Sequence, residues 1–226
     1  MESQKPKIAM YVKRPFGEKL NASFDFLKEN WKLLLKFTTY LLLPLCLIQA
    51  LSLNGLMSGA LSISAIASST AMAASSSSLI AFGSYYGLYM FLYLIGIILL
   101  TSLVYGLIRT YNEREERLQG VTLGMLKPRL FRNIKRLLLM TGACILLVLF
   151  VGIFVGLLVA LTPFTLFLTI PFIIAFSVPL ALLAPIYLFE DITLMEAFKK
   201  TFRLGFATWG GVFLVSLLMG CLLYTS

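Results

Sequence analysis

Two long stretches of this chain carry no Asp, Glu, Lys or Arg, one between Lys36 and Arg109 and the other between Arg136 and Glu190. Both are rich in Leu, Ile and Phe, and both exceed the length of one bilayer crossing. In hydrocarbon every backbone N–H and C=O needs a partner within the protein, so each stretch reads as a pair of membrane helices with a connection. Residues 137–189 would be about 80 Å long as one helix at ~1.5 Å per residue, against ~30 Å of hydrocarbon. That stretch therefore folds back, and Thr162-Pro163 is its best turn.

The expected fold class is an all-α polytopic membrane protein, with residues 1–226 forming a single membrane domain. A cytoplasmic arm and interfacial helix occupy 1–32, and the first span 33–53. An external Ser/Ala-rich loop covers 54–84 and reads as a flexible connector or as a short amphipathic element on the outer leaflet. The second span is 85–108, a basic cytoplasmic loop 109–136, the third span 137–161 and the fourth 164–189. A cytoplasmic amphipathic helix takes 190–208, and a fifth span 209–226. Residues 221–226, Cys-Leu-Leu-Tyr-Thr-Ser, match one reading frame of a common DNA-library adapter, so a sixth span is expected to follow Gly220 in the native protein.

Orientation follows from the basic residues. All nineteen Lys and Arg fall between Lys5 and Lys36, in the 109–136 loop or in the 190–208 segment, which lie on one side of the proposed membrane. This places the N-terminus in the cytoplasm and suits a multi-pass protein of a bacterial inner membrane. The net charge of +9 then points to anionic membrane lipids as the counter-charge rather than nucleic acid, because the cations border apolar segments.

Each odd-numbered span is preceded by a basic amphipathic segment. Leu20, Phe24, Leu27, Trp31 and Leu34 share one helical face, with Lys19, Asp25, Lys28, Glu29 and Lys32 on the remainder. Pro128 suits a first helical position, and Leu130, Ile134 and Leu137 then form a stripe opposite Arg129, Arg132, Lys135 and Arg136. Thr193 and Glu196 carry a capping-box signature ahead of an aromatic stripe of Met195, Phe198, Phe202, Phe206 and Trp209. Aromatic faces with basic flanks fit the membrane interface, where Lys and Arg stems reach phosphates. Lys28, Lys32, Arg129, Arg132, Lys135, Arg136, Lys199, Lys200 and Arg203 are thus candidates for contact with lipid headgroups or a protein partner. The plainer reading is that these segments only orient the spans.

The fourth span carries Pro171, Pro179 and Pro185, candidate hinges because each removes a backbone donor. Broken helices line substrate sites in many transporters. Thr165, Thr169 and Ser177 either repair the lost bonds or face a cavity. Gly152-x-x-x-Gly156 and Gly83-x-x-x-Gly87 would permit close helix approach and a homodimer seam.

Nothing suggests catalysis. The chain has no histidine, and no ionisable residue lies deep in a span, where proton-coupled carriers and intramembrane aspartyl proteases place one. Cys46, Cys144 and Cys221 show no metal-ligand or disulfide spacing. No cofactor or metal is expected. The expected function is a scaffold, assembly or regulatory role through a basic cytoplasmic face, with a second membrane protein or a second copy as partner. The alternative is a permease or lipid-handling transporter that moves its fourth span.

The segment from Pro185 to Trp209, with Pro185-x-x-Leu188-x-Glu190 leading into a basic helix bearing Ala197, Thr201 and Leu204, resembles the membrane domain attached to some bacterial glycerophosphodiester phosphodiesterases and related stand-alone membrane proteins. The amphipathic start at Phe16–Trp31 fits the same pattern, and the likeness covers about a quarter of the chain. It implies six helices with interfacial helices on the cytoplasmic side and no chemistry, since the phosphodiesterase activity of that family resides in a separate soluble domain with essential histidines.

Overall fold

In a computed structural model the described residues are 7–9, 12, 14–67, 75–162 and 164–225, with the side chains of 62–67, 75–79, 222, 223 and 225 left undescribed. The protein is an all-α polytopic chain, and its described residues form seven helices: α1 (Phe16–Ala67), α2 (Ser75–Glu113), α3 (Leu123–Leu161), α4 (Thr165–Leu180), α5 (Leu183–Glu190), α6 (Leu194–Ala207) and α7 (Trp209–Thr225). Among the described residues four segments are long and apolar enough to cross a membrane: Phe16–Leu61, Ile80–Glu113, Leu123–Leu161 and Thr165–Glu190. A fifth arises if α6 and α7, bent by 88° at Thr208, count as one. The chain divides into two compact units, Met1–Ile8 with Ala22–Lys127, and Ala9–Asn21 with Pro128–Ser226.

The first unit is built on an antiparallel pair, α1 and α2. Glu29 meets Arg117 just past the end of α2, Leu45 lies against Gly96, Gly55 against Tyr85 and Gly59 against Phe82. As residue numbers rise along one partner they fall along the other, which defines the antiparallel register. Gly55 makes the close approach possible, since a Cβ there would lie 2.6 Å from the Tyr85 ring, while one turn on a Cβ at Gly59 would reach Phe82 at 3.5 Å, in van der Waals contact. These glycines lie inside the region expected to be a loop. Helix instead continues through Ala67 and resumes at Ser75, because Ala, Leu and Met keep the segment helix-compatible and α2 gives it a surface to pack on. The connection between them lies outside the described residues.

The two glycine pairs singled out from the sequence do not make such contacts. A Cβ at Gly83, Gly87, Gly152 or Gly156 would meet nothing within 4 Å. The interfacial helices also differ from expectation. α1 and α3 run without a break from their basic ends into their apolar ends, since no Gly or Pro separates the two parts at residues 30–36 or 134–140. Pro128 is the sixth residue of α3, whose first turn is closed on the Thr122 carbonyl by the N–H groups of Met125 and Leu126 at 3.2 and 3.4 Å. Only α6 is a separate helix, set off where Thr208 and the Gly210-Gly211 pair weaken helix continuity.

The second unit centres on α4, α5, α6 and α7. Pro163 lies outside the described residues, but α3 ends at Leu161 and α4 starts at Thr165, on either side of the expected turn. Helix α4 then stops at Leu180, immediately after Pro179, and two tight i→i+3 bonds, Ala181 N–H to Val178 O and Leu182 N–H to Pro179 O, carry the chain into α5. Of the three expected hinges, Pro179 lies at this break. Pro171 sits within α4. Pro185 occupies the first turn of α5, where a missing N–H costs nothing.

Helix α6 packs its small residues inward, not its aromatic stripe. Ala197, Thr201 and Gly205 are buried at one-turn intervals, and a Cβ on Gly205 would fall 2.5 Å from Pro179 Cβ. The aromatic residues run along the flank, Phe176 of α4 meeting Phe202 at 5.9 Å and Phe206 at 5.6 Å, both edge-on. Ala197 joins Leu183 and Tyr187 in a core cluster against which Cys144 of α3 packs, the small apolar role expected of a membrane cysteine.

Leucine at Gly55 or Gly59 should destabilise the protein by about 1–3 kcal/mol, the usual cost of overpacking. Leucine at Gly152 or Gly156 should leave stability unchanged. Thermal unfolding of the detergent-solubilised variants separates the two pairs.

Candidate functional site

The charged residues of each unit are tied together at one end of its helices. In the first unit the organising group is Tyr111, fully buried near the end of α2. Its hydroxyl donates to Glu29 Oε2 at 3.1 Å and accepts from the Ile8 N–H at 3.3 Å, while Phe26 packs edge-on against its ring at 5.1 Å. Glu29 Oε1 takes a charge-assisted bond from Arg117 Nη1 at 2.7 Å. Lys7 donates to the carbonyls of Asn112 and Arg114 at 2.8 and 3.1 Å, so a cation caps the negative end of α2.

The turn that follows α2 is strained where it matters. Arg117 has φ of 58°, a left-handed conformation that costs a non-glycine residue roughly 1–2 kcal/mol. Gly120, at φ 68°, takes the same conformation without that cost. The Glu29 ion pair offsets the strain at Arg117 and fixes the turn against α1. Between the turn and α1 lies an open cleft of about 580 Å³, lined among others by Lys28, Glu29, Trp31, Lys32, Arg117 and Gln119.

In the second unit Asp191 plays the organising part. It ends α5 in a left-handed conformation, φ 52°, which Asp tolerates better than most residues. Its carboxylate takes Arg136 Nη1 at 2.6 Å, with Arg132 Nη2 at 3.8 Å. Arg136 also donates to the Ile192 carbonyl at 2.8 Å and lies over the Tyr187 ring at 4.3 Å, which binds α3 to the α5–α6 turn. Lys200 reaches back to both oxygens of Glu190 at 2.7 and 2.6 Å. The turn itself is closed by the expected capping box: Thr193 N–H donates to Glu196, and Glu196 N–H to the Thr193 hydroxyl. The bond from the Thr193 backbone, chiefly, holds the Glu196 carboxyl below its ordinary range, so the cap is complete at neutral pH.

The nine candidate cations therefore fall into two groups. Arg136 and Lys200 are occupied by Asp191 and Glu190, and Arg132 lies near Asp191, so these three act first in holding helices together. Lys28, Lys32, Lys135, Lys199 and Arg203 are exposed, Lys135 folding over the Phe131 ring at 5.0 Å, while Arg129 is half-buried. Lys28 and Lys32 alone among the nine line the cleft. Sequence reasoning passed over Tyr111, Arg117 and Gln119. The one available signal was the charged run Glu113 to Arg117 ending at Gly120, which marks a turn but not its partner.

A further contact lies at the α4 break. Pro179 has no N–H to give to the carbonyl four residues back, Ala175, and the Trp209 indole N–H donates to that carbonyl at 3.1 Å. The hydroxyls of the fourth span do something else. Thr165 donates to the Thr162 carbonyl at 2.7 Å, Thr169 to the Thr165 carbonyl, and Ser177 to the Ile174 carbonyl at 2.9 Å. None of these is a carbonyl orphaned by a proline. Among the described residues no group of three or more His, Cys, Asp or Glu is placed to hold a metal ion.

No family model, curated protein or solved structure matches the chain.

Asp191→Ala should cost about 1.5–3 kcal/mol, the range for a hydrogen bond to a charged group, because Arg136 loses its carboxylate while still half-buried. Lys199→Ala, which removes an exposed charge, should be neutral. Thermal unfolding in detergent compares the two.

Proposed function

We propose that this protein is a non-catalytic scaffold or regulatory protein of a bacterial inner membrane, working through a basic cytoplasmic face. The observation that carries the reading is the ion-paired construction of the charged ends. In one unit Glu29 joins α1 to the Arg117 turn, and in the other Asp191 joins α3 to α5. Within each unit the pair holds two charged segments together, which supports a shared cytoplasmic side for the segments that it joins. The exposed cations of each unit, Lys28 and Lys32 in the first and Lys135, Lys199 and Arg203 in the second, are the groups offered to anionic lipid or to an acidic membrane partner. The resemblance of 185–209 to the membrane domain of glycerophosphodiester phosphodiesterases is in keeping with this role and brings no enzymatic activity with it.

The hydroxyls of the fourth span support the same reading. Thr165, Thr169 and Ser177 spend their donors on carbonyls of their own helical segment, the arrangement suited to a lipid-facing or packed helix rather than a solute path.

A permease or lipid-handling transporter is the second reading. The break after Pro179 favours it, since a helix interrupted there has a natural pivot and Trp209 a bond to exchange.

Reconstitution of the full chain in vesicles separates the two readings. A scaffold predicts lipid scrambling and small-solute leakage at the level of protein-free vesicles. Robust flux that Trp209→Phe alters would overturn the scaffold reading in favour of the transporter.

A further inference from the structure

The cleft beside α1 has features that a general electrostatic surface does not need. Lys28 and Lys32 are one helical turn apart on α1, so their ammonium groups share one wall. Neither has an ion-pair partner among the described residues. The facing wall is the Arg117 turn, which adds the Gln119 amide, a neutral donor. Glu29 also faces the cleft, but its two oxygens already accept from Arg117 and Tyr111, so its negative charge is largely answered within the wall. Arg117 is correspondingly committed to that carboxylate. The remaining chemistry is two ammonium groups and an amide around a space large enough for a phosphate ester.

The surroundings decide what carries the phosphate. On the same helix, Phe24, Leu27, Trp31 and Leu35 form a continuous apolar stripe that is 46, 49, 56 and 61% exposed. Trp31 belongs both to the stripe and to the cleft. A soluble phosphate would leave that stripe in water, whereas a lipid would cover it with acyl chains while its headgroup enters the cleft. Tryptophan at the junction suits the boundary between the two.

We propose that the cleft between α1 and the Arg117–Gly120 turn is a binding site for the phosphate of one anionic phospholipid, with Lys28, Lys32 and Gln119 holding the headgroup and the Phe24–Leu35 stripe holding its acyl chains. This rests on the cytoplasmic-face reading above and names the ligand of one part of that face. The site differs from the diffuse attraction of the other cations in being concave, in having a neutral donor and in having a fixed floor, the Glu29–Arg117 pair.

Native mass spectrometry of the full chain in detergent, titrated with phosphatidylglycerol or phosphatidylcholine, tests the proposal. The expected result is retention of one phosphatidylglycerol in preference to phosphatidylcholine. Lys28→Gln with Lys32→Gln should weaken that retention five-fold or more, and Gln119→Ala about two-fold or more. Lys135→Gln with Lys199→Gln, removing equal charge outside the cleft, should change it less than two-fold. Equal losses in the two double variants, or no preference for phosphatidylglycerol in the parent, would overturn the proposal. Displacement of the lipid by millimolar inorganic phosphate would also overturn it, assigning the cleft to a free anion. Circular dichroism and elution volume show whether the Lys28/Lys32 variant keeps its fold, and if it does not, the Gln119→Ala measurement decides. Vesicle flux is a separate readout, so a failed scaffold reading and a failed lipid site give different results.

Discussion

Apolar side chains that the chain leaves uncovered set the conditions for everything else in this structure. Along the second half of α3, Leu146, Phe150, Ile153 and Leu157 stand exposed, and Phe150 is 74% accessible. At the start of α4, its N-cap Phe164 and then Phe167 and Leu168 do the same. Each exposed residue of this size would forgo about 1.5–3 kcal/mol in water compared with an apolar surrounding. No soluble domain presents such surface continuously along several helices. A hydrocarbon solvent removes that cost and introduces another, because it satisfies no backbone polar group. The Trp209–Ala175 bond is a direct answer to that second demand, placing an indole donor where Pro179 has taken one away.

The same solvent explains why charge is confined to helix ends and why so much of it is internally paired. An ion near hydrocarbon is costly unless it is partnered or reaches water. Glu29 and Asp191 each collect more than one donor, and each sits where a helix meets a turn with a left-handed residue, Arg117 in one case and Asp191 itself in the other. Strain in the turn and attraction across it are coupled: the ion pair holds a conformation that the backbone alone would leave. Lys28, Lys32, Lys135, Lys199 and Arg203 are exposed instead, where headgroups and water lie within reach. The division of the cations into those that hold helices and those that are offered outward is the link between fold and proposed role.

Much of the helical layout was legible from hydropathy and charge. The Thr193–Glu196 cap, the start of α7 at Trp209 and the turn near Thr162 follow from local rules that need no partner. Tertiary choices were not legible in the same way. Gly83, Gly87, Gly152 and Gly156 have the same spacing as Gly55 and Gly59, yet only the last two face another helix, and spacing alone carries no information about what lies opposite. In α6 the conspicuous aromatic stripe drew attention, while the buried face is the inconspicuous Ala197, Thr201 and Gly205, because small residues let α6 approach Pro179. Nor could the sequence distinguish Arg136 from the exposed Lys135 beside it. The difference is Asp191, brought to Arg136 only by the turn between α5 and α6.

The most direct test is the side of the membrane from which each charged end is reached. Single cysteines introduced as Lys28→Cys, Arg129→Cys, Lys199→Cys and Phe150→Cys, in a background with Cys46, Cys144 and Cys221 replaced by Ala, can be exposed to a membrane-impermeant maleimide in intact cells and in inverted vesicles. The account predicts labelling of the first three only in inverted vesicles and of the fourth in neither. Labelling of any two of the three polar positions from opposite faces, or rapid reaction at position 150, would contradict it.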